Sequence, residues 1–173
     1  TIGGRIRDLR PSEMLGQIYA AGRLTGERID SIVMMGIGEP LDNFQNVGRF
    51  LELVHHPKGL NLSHRHISLS TCGLVPQILR LKDEGLPVTL SISLHAPNDA
   101  IRRQIMPVAQ RYPMEALMQA VRAYVAQTGR RVVFEYALID RLNSRPEHAR
   151  ELARLLRGLQ CHVNLIPLNH VDE

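Results

Sequence analysis

Two hydrophobic periods alternate along the chain, and they predict different secondary structures. Apolar residues three and four positions apart indicate helices, and the clearest such stripe lies between Pro113 and Gln127. Short runs rich in β-branched and aromatic residues lie between the helical stretches and indicate strands. Five strands are predicted in this way: Ile29–Gly36, His66–Ser70, Val88–Leu94, Arg131–Ile139 and Cys161–Leu168.

Six helices are predicted around these strands. They are Pro11–Leu24, Phe44–Val54, a stretch that aligns Leu74, Ile78 and Leu81 and stops at Gly85, a short helix from Asn98 or Asp99 to before Pro107, Pro113–Gln127, and Pro146–Arg157. Helices that alternate with strands carry the chain back over the sheet, so the strands must be parallel. We therefore predict an α/β fold, and two architectures remain as alternatives: a doubly wound sheet and a barrel. No repeat or linker interrupts the pattern, so a single domain is predicted over residues 1–173.

The first predicted strand ends in an unusual run of residues. Gly36 and Gly38 would let a ligand approach the backbone closely, and Pro40 favours an extended conformation for Glu39. A carboxylate presented there could bind an ammonium group, although the same residues also suit a plain strand-to-helix turn. A dinucleotide-binding fingerprint fits less well, because its third glycine would fall at Leu41.

Small polar residues mark the next two strands. Ser70 ends the second strand, where its hydroxyl could bind a ligand oxygen or cap the following helix. In the third strand, alternation places Ser91, Ser93 and His95 on one face. Because parallel α/β folds bind ligands at the carboxyl ends of their strands, these side chains favour a polar pocket.

The last two strands add a charged residue and an amide. Glu135 stands in an otherwise apolar strand and is expected to need a partner such as an arginine or a ligand. Asn169 lies just past the fifth strand and offers both a donor and an acceptor at the same edge of the sheet.

Composition narrows the class of protein. With 21 Lys and Arg against 17 Asp and Glu, the net charge of +4 permits RNA binding without arguing for it. Cys72 and Cys161 are too few for a disulfide framework or a closed metal site. No apolar run reaches the roughly 18 residues of a membrane span, so a cytoplasmic protein is expected.

Five segments, taken together and in order, resemble one enzyme family. They are Val33–Leu41, Leu69–Gly73, Ser91–Asp99, Val133–Tyr136 and Val163–Asn169. The family is that of the radical S-adenosylmethionine (SAM) methyltransferases that act on carbon 2 of an adenine in large-subunit (23S) ribosomal RNA and in some transfer RNAs. A sister group methylates carbon 8 instead.

The resemblance implies a partial (βα) barrel of parallel strands that binds SAM at the strand ends. Glu39 would contact the amino group of the methionine portion. Arg102 also matches the family pattern, with its role open between an RNA contact and a structural ion pair. The residues that would contact SAM are Gly38, Glu39, Ser70, Ser93, Leu94, His95 and Asn169.

Two parts of the family pattern have no counterpart in this chain. The family binds a [4Fe–4S] cluster through Cys-x-x-x-Cys-x-x-Cys on the first barrel strand, and residues 1–9 resemble the stretch that follows those cysteines. A carboxyl-terminal cysteine that accepts the methyl group is also missing, and Cys72 and Cys161 match neither role. The chain is therefore expected to contain no catalytic residue and no metal ligand, and to be inactive alone.

By this resemblance the enzyme would methylate 23S ribosomal RNA, and transfer RNA as a possible second substrate. It would take electrons from a donor such as flavodoxin or ferredoxin. Three alternatives stay open: a non-catalytic remnant or binding module, the carbon 8 sister enzyme, and an unrelated α/β enzyme such as a nicotinamide-dependent reductase.

Overall fold

A computed structural model describes residues 6–168 of the chain. Its centre is one sheet of five parallel strands in the order β1-β2-β3-β4-β5. The strands are β1 Ile32–Met34, β2 Ile67–Thr71, β3 Thr89–Ser93, β4 Val132–Leu138 and β5 Cys161–Pro167.

Six α-helices connect or precede the strands. They are α1 Pro11–Thr25, α2 Phe44–His55, α3 Val75–Asp83, α4 Asp99–Ile105, α5 Met114–Thr128 and α6 Pro146–Leu155. Short 3₁₀ turns cover Pro40–Asn43, His64–His66 and Pro107–Gln110. Glycines in the left-handed conformation end α1 and α5, at Gly26 (φ 71°) and Gly129 (φ 63°).

The order of the strands decides between the two predicted architectures. A doubly wound sheet reverses its direction at a switch point, whereas here each new strand adds beside the previous one throughout. Right-handed crossovers that always progress in one direction keep their helices on one face of the sheet. The winding is that of a barrel, and the α/β prediction with parallel strands is confirmed.

The two faces of the sheet differ in polarity. On the face toward the helices, Ile67 and Leu69 of β2 and Leu90 and Ile92 of β3 are 0% exposed and join the hydrophobic core. On the opposite face the same strands carry serines and threonine, as the alternation of strand side chains requires. The polar face is therefore the inner face of the partial barrel.

The first four strands begin later than predicted, and the difference is largest in β1, which also ends before the predicted Gly36. β1 is shorter than the predicted Ile29–Gly36 because only Ile32–Met34 pair with β2. β2 was expected to begin at His66, which instead closes a 3₁₀ turn. The turn forms because the Ser63 side chain accepts a hydrogen bond from the backbone N–H of Arg65.

Candidate binding site at the carboxyl ends of the strands

The loop after β1 exposes its backbone. Gly36 (φ 121°) and Gly38 (φ 102°) adopt conformations that favour glycine, and a Cβ atom on either would meet nothing within 4 Å. The space beside them is an open cleft of about 1160 Å³, whose lining includes Gly38, Glu39 and Cys72. A ligand can therefore approach the main chain here, as the sequence indicates.

Glu39 lies in this loop with its carboxylate held by two backbone N–H groups. Oε1 accepts from Leu41 at 3.1 Å, and Oε2 accepts from Cys72 at 2.7 Å. A carboxylate can accept about four hydrogen bonds, so further acceptor positions remain. Within residues 6–168 no cation pairs with Glu39. The group is fixed in orientation and ready to bind a positively charged ligand.

The serines of β2 and β3 fall into two classes. The hydroxyls of Ser68 and Ser91 form a hydrogen bond with each other, with their Oγ atoms 3.1 Å apart, and Ser91 is only 7% exposed. The hydroxyls of Ser70 and Ser93 lack a hydrogen-bond partner in the described part of the chain, and they are not sealed from solvent. Ser70 and Ser93 are thus available to a ligand, whereas Ser91 is not.

His95 follows β3 in a left-handed conformation, with φ 55°. Its Nδ1 atom accepts a 3.0 Å hydrogen bond from the backbone N–H of Ala137. An Nδ1 that accepts carries no proton, so the neutral ring holds its proton on Nε2. Burial lowers the pKa of His95, and the nearby Arg102 guanidinium adds to this effect. At neutral pH the ring is a donor through Nε2, which finds no acceptor among residues 6–168.

Glu135 has a partner, as expected, and among the described residues that partner is the neutral side chain of Asn164 and not an arginine. Asn164 of β5 donates from Nδ2 to Oε2 of Glu135 at 2.7 Å, which the register of β4 and β5 allows because the two residues pair directly. The Glu135 backbone oxygen also accepts from the N–H groups of Leu94 and His95, each at 3.1 Å. Because the Leu94 side chain is fully buried, only its backbone could contact a ligand.

Arg102 plays neither of the two roles left open by the sequence. It is 0% exposed, so it cannot touch RNA in this fold. Its guanidinium donates to three backbone oxygens, those of Cys72 at 2.7 Å, Ser93 at 3.2 Å and Leu94 at 3.2 Å. Burial lowers the pKa of Arg102. The side chain joins the ends of β2 and β3.

Hydrogen bonds therefore connect four of the predicted site residues, Glu39, Ser93, Leu94 and His95, along one edge of the sheet. Glu39 binds the N–H of Cys72, and Arg102 links the carbonyl of Cys72 to the end of β3. Leu94 and His95 then bond to β4. Among the predicted site residues, Asn169 lies outside the described part of the chain, and its assignment stays a prediction.

Asn143, in the loop between β4 and α6, is a site residue that the sequence pattern does not reveal. It is 2% exposed, and its side chain bonds to three backbone groups, those of His95, Ala137 and Ile139. Its place in a loop at the carboxyl end of a strand is the available signal. The signal is weak because nothing in the sequence shows that the side chain is buried.

The cysteines do not form a cluster site. Cys72 follows the carboxyl end of β2, whereas Cys161 begins β5, so they lie at opposite ends of the parallel sheet. Burial, with Glu39 beside it, raises the pKa of the Cys72 thiol to about 12, which disfavours the thiolate that binds iron. Among residues 6–168 no group of three His, Cys, Asp or Glu side chains could hold a metal ion.

Comparison with known proteins matches residues 3–160 to the family described as the radical SAM superfamily. The chain belongs to this superfamily. Membership implies SAM and a [4Fe–4S] cluster as cofactors, and the accessible donors and the oriented carboxylate of the strand ends fit SAM. The residues described here do not fit the cluster.

Individual relatives are similar over the whole length of the chain. A protein of Clostridium tetani named "Probable dual-specificity RNA methyltransferase RlmN" is 56% identical over 173 residues, and one of the same name from Lachnospira eligens is 49% identical. The crystal structure of a radical SAM methyltransferase from Sphaerobacter thermophilus superposes with a TM-score of 0.92 at 49% identity and covers 98% of this chain.

The chain spans about half the length of these relatives: 50% of the Clostridium tetani protein, 49% of the Lachnospira eligens protein and 50% of the Sphaerobacter thermophilus chain. Their names therefore describe proteins that are about twice as long as this chain. In the portion that the structure describes, no helix is both long and apolar enough to cross a membrane.

Proposed function

We propose that this chain is the SAM-binding part of an RNA methyltransferase that modifies carbon 2 of an adenine in 23S ribosomal RNA, with transfer RNA as a second substrate. The observation that carries the proposal is the Glu39 carboxylate, held by two N–H groups beside a cleft and lacking a cation among the described residues. The names of the similar proteins support RNA as the substrate class.

The proposal assigns a contact with SAM to each predicted site residue. Glu39 accepts hydrogen bonds from the ammonium of the methionine portion, a charge-assisted contact worth about 1.5–3 kcal/mol. The backbone at Gly38 lies beside the same portion. The hydroxyls of Ser70 and Ser93 and the Nε2–H of His95 bind further along the ligand. We assign Leu94 a backbone contact and Asn169 a contact from its side chain.

In this proposal the chain binds and orients SAM, and the cofactors supply the chemistry of methyl transfer. The isolated chain is expected to show no cluster-dependent turnover, because Cys72 and Cys161 lie at opposite ends of the sheet. The proposal includes a one-electron donor such as flavodoxin or ferredoxin for the complete enzyme. An RNA substrate would place that enzyme in the cytoplasm.

A chimaeric protein tests this function. The 173 residues replace the matching segment of the Clostridium tetani relative, whose remaining half supplies the rest of the enzyme. Purified chimaera with a reconstituted cluster is incubated with SAM and ribosomal or transfer RNA, and digested RNA is examined by mass spectrometry against 2-methyl- and 8-methyladenosine standards. The unmodified relative is the control.

The proposal expects 2-methyladenosine in both RNAs. Modification at carbon 8 would instead assign the chain to the sister activity. A chimaera that binds the cluster and cleaves SAM but leaves both RNAs unmodified would remove the RNA methyltransferase assignment. A folded chimaera that fails to bind SAM would favour the non-catalytic alternative.

A further inference from the structure

His95 has an unusual backbone conformation for a residue with a side chain. Among residues 6–168, the only residues other than glycine that have a positive φ are Asn61, His95 and Arg141. His95 is the one that lies among the predicted site residues, two positions after the end of β3. Such a conformation persists where the surrounding structure holds it in place. The contacts of His95 should therefore show what maintains it.

The carbonyl of His95 is held by a single buried side chain. Asn143 donates from Nδ2 to the His95 oxygen at 2.7 Å and to the Ala137 oxygen at 2.7 Å. Its Oδ1 accepts from the N–H of Ile139 at 2.7 Å. The Asn143 carbonyl in turn accepts from the hydroxyl of Tyr136 at 2.9 Å. One amide thus joins the end of β3 to both the end of β4 and the loop that follows it.

The same contacts determine which nitrogen of the His95 ring faces a ligand. Ala137 is bonded twice, through its carbonyl to Asn143 and through its N–H to Nδ1 of His95. While this arrangement lasts, Nδ1 is an acceptor, and Nε2 carries the only ring proton. Loss of the Asn143 contacts would free both the left-handed backbone and the ring.

We propose that Asn143 is a positioning residue that fixes His95 in its left-handed conformation, with Nε2–H presented to bound SAM. This inference rests on the proposed SAM site. Asn143 touches no ligand itself, because it is 2% exposed and its side chain is bonded entirely to backbone groups. It acts on the ligand through His95.

The first experiment needs no cofactor. Two-dimensional ¹H–¹⁵N spectra of the imidazole rings distinguish the Nε2–H tautomer from the Nδ1–H tautomer, and they are recorded for the wild-type chain, Asn143→Asp and Asn143→Ser. The aspartate lacks both N–H donors and places a carboxylate against two carbonyl oxygens, whereas the serine retains one donor. His95 of the wild type should show pure Nε2–H signals, and both variants should show a mixture.

A double-mutant cycle separates positioning from general stability. Glycine adopts positive φ without steric strain, so a glycine at position 95 does not need Asn143 to hold its backbone. The decrease in melting temperature caused by Asn143→Ser should therefore be smaller in His95→Gly than in the wild type. Equal losses in the two backgrounds would show that Asn143 does not hold the His95 backbone, and would overturn the proposal. This comparison remains informative if Asn143→Asp fails to fold.

The second experiment measures SAM binding to the same chains by calorimetry. Asn143→Ser should weaken binding about tenfold, while Asn61→Asp, at an exposed left-handed position away from the site, should leave it unchanged. Wild-type tautomer signals together with wild-type affinity in the Asn143 variants would contradict the inference. Absence of SAM binding by the wild type would remove the proposed function, and the spectra and the cycle would still decide whether Asn143 holds His95.

Discussion

Glu39 accepts a 2.7 Å hydrogen bond from the backbone N–H of Cys72, which joins the loop after β1 to the end of β2. The carbonyl of Cys72 is bonded to the buried Arg102, so the same peptide segment is held from both sides. The Glu39 carboxylate is therefore oriented before any ligand arrives. A group oriented in advance loses less conformational entropy when it binds.

A side chain at Gly73 is predicted to destabilise the fold. It has φ 102°, and a Cβ atom there would lie 3.1 Å from Leu117 Cδ1 and 3.2 Å from Arg102 Nη2. Gly73→Ala should lower the free energy of unfolding by about 1–3 kcal/mol, measured by urea denaturation. Gly16→Ala is the control, because a Cβ at this position in α1 meets nothing within 4 Å. It should raise stability by about 0.5–1 kcal/mol, and similar losses for both would contradict the steric argument.

Arg102 and its neighbour Arg103 allow a matched comparison on one helix. Arg102→Met removes the Arg102 donor from one buried and two partly buried carbonyl oxygens at the ends of β2 and β3, and should lower the free energy of unfolding by about 3 kcal/mol. Arg103 is exposed, so Arg103→Met should change the free energy of unfolding by less than about 0.5 kcal/mol. Denaturant titration of both variants checks this. Equal effects would mean that the carbonyl contacts of Arg102 do not stabilise the fold.

The raised pKa of Cys72 predicts a loss of stability in alkaline solution. The unfolded thiol ionises near pH ~8.5, whereas burial and Glu39 raise the pKa of the folded thiol to about 12. Between these values the unfolded chain releases a proton that the folded chain keeps, so stability is full below the lower value and falls as pH rises. The urea midpoint of the wild type should therefore fall more between pH ~8 and pH ~10 than that of Cys72→Ala. Parallel curves would show that this thiol does not contribute.

The hydrophobic pattern predicts the helices well because the apolar stripe that it records is the face that packs in the core. The pattern predicts α2 at Phe44–Val54, and the helix is observed at Phe44–His55 with its aligned apolar residues buried. The position of the site also follows from the pattern, because parallel strands place their carboxyl ends at one edge. The polar residues that follow each strand are therefore candidates on the sequence alone.

The contacts of individual polar residues cannot be predicted in this way. Glu135 pairs with Asn164, which is distant in sequence and is brought opposite it only by the register of β4 and β5. Arg102 and Asn143 bind backbone oxygens, and no residue type in the sequence marks which backbone oxygens lie nearby. Such partners depend on three-dimensional packing, and local patterns do not encode them.

The most direct test of the SAM site is calorimetry with two ligands on wild-type, Glu39→Gln and Glu52→Gln chains. SAM has the ammonium group assigned to Glu39, whereas 5′-methylthioadenosine retains the nucleoside and lacks the amino acid portion. Glu52 is exposed on α2 and serves as the control carboxylate. Glu39→Gln preserves the size of the side chain and removes its charge. The amide also has one acceptor oxygen in place of two, so it keeps only one of the hydrogen bonds from Leu41 and Cys72, and 5′-methylthioadenosine reports any effect of that loss on the rest of the site.

The predicted result is that Glu39→Gln weakens SAM binding by roughly 10- to 150-fold, which corresponds to about 1.5–3 kcal/mol. Its affinity for 5′-methylthioadenosine should match that of the wild type, and Glu52→Gln should bind both ligands normally. Unchanged SAM affinity in Glu39→Gln, or equal losses for the two ligands, would contradict the assignment of Glu39 as the ammonium-binding group of this site.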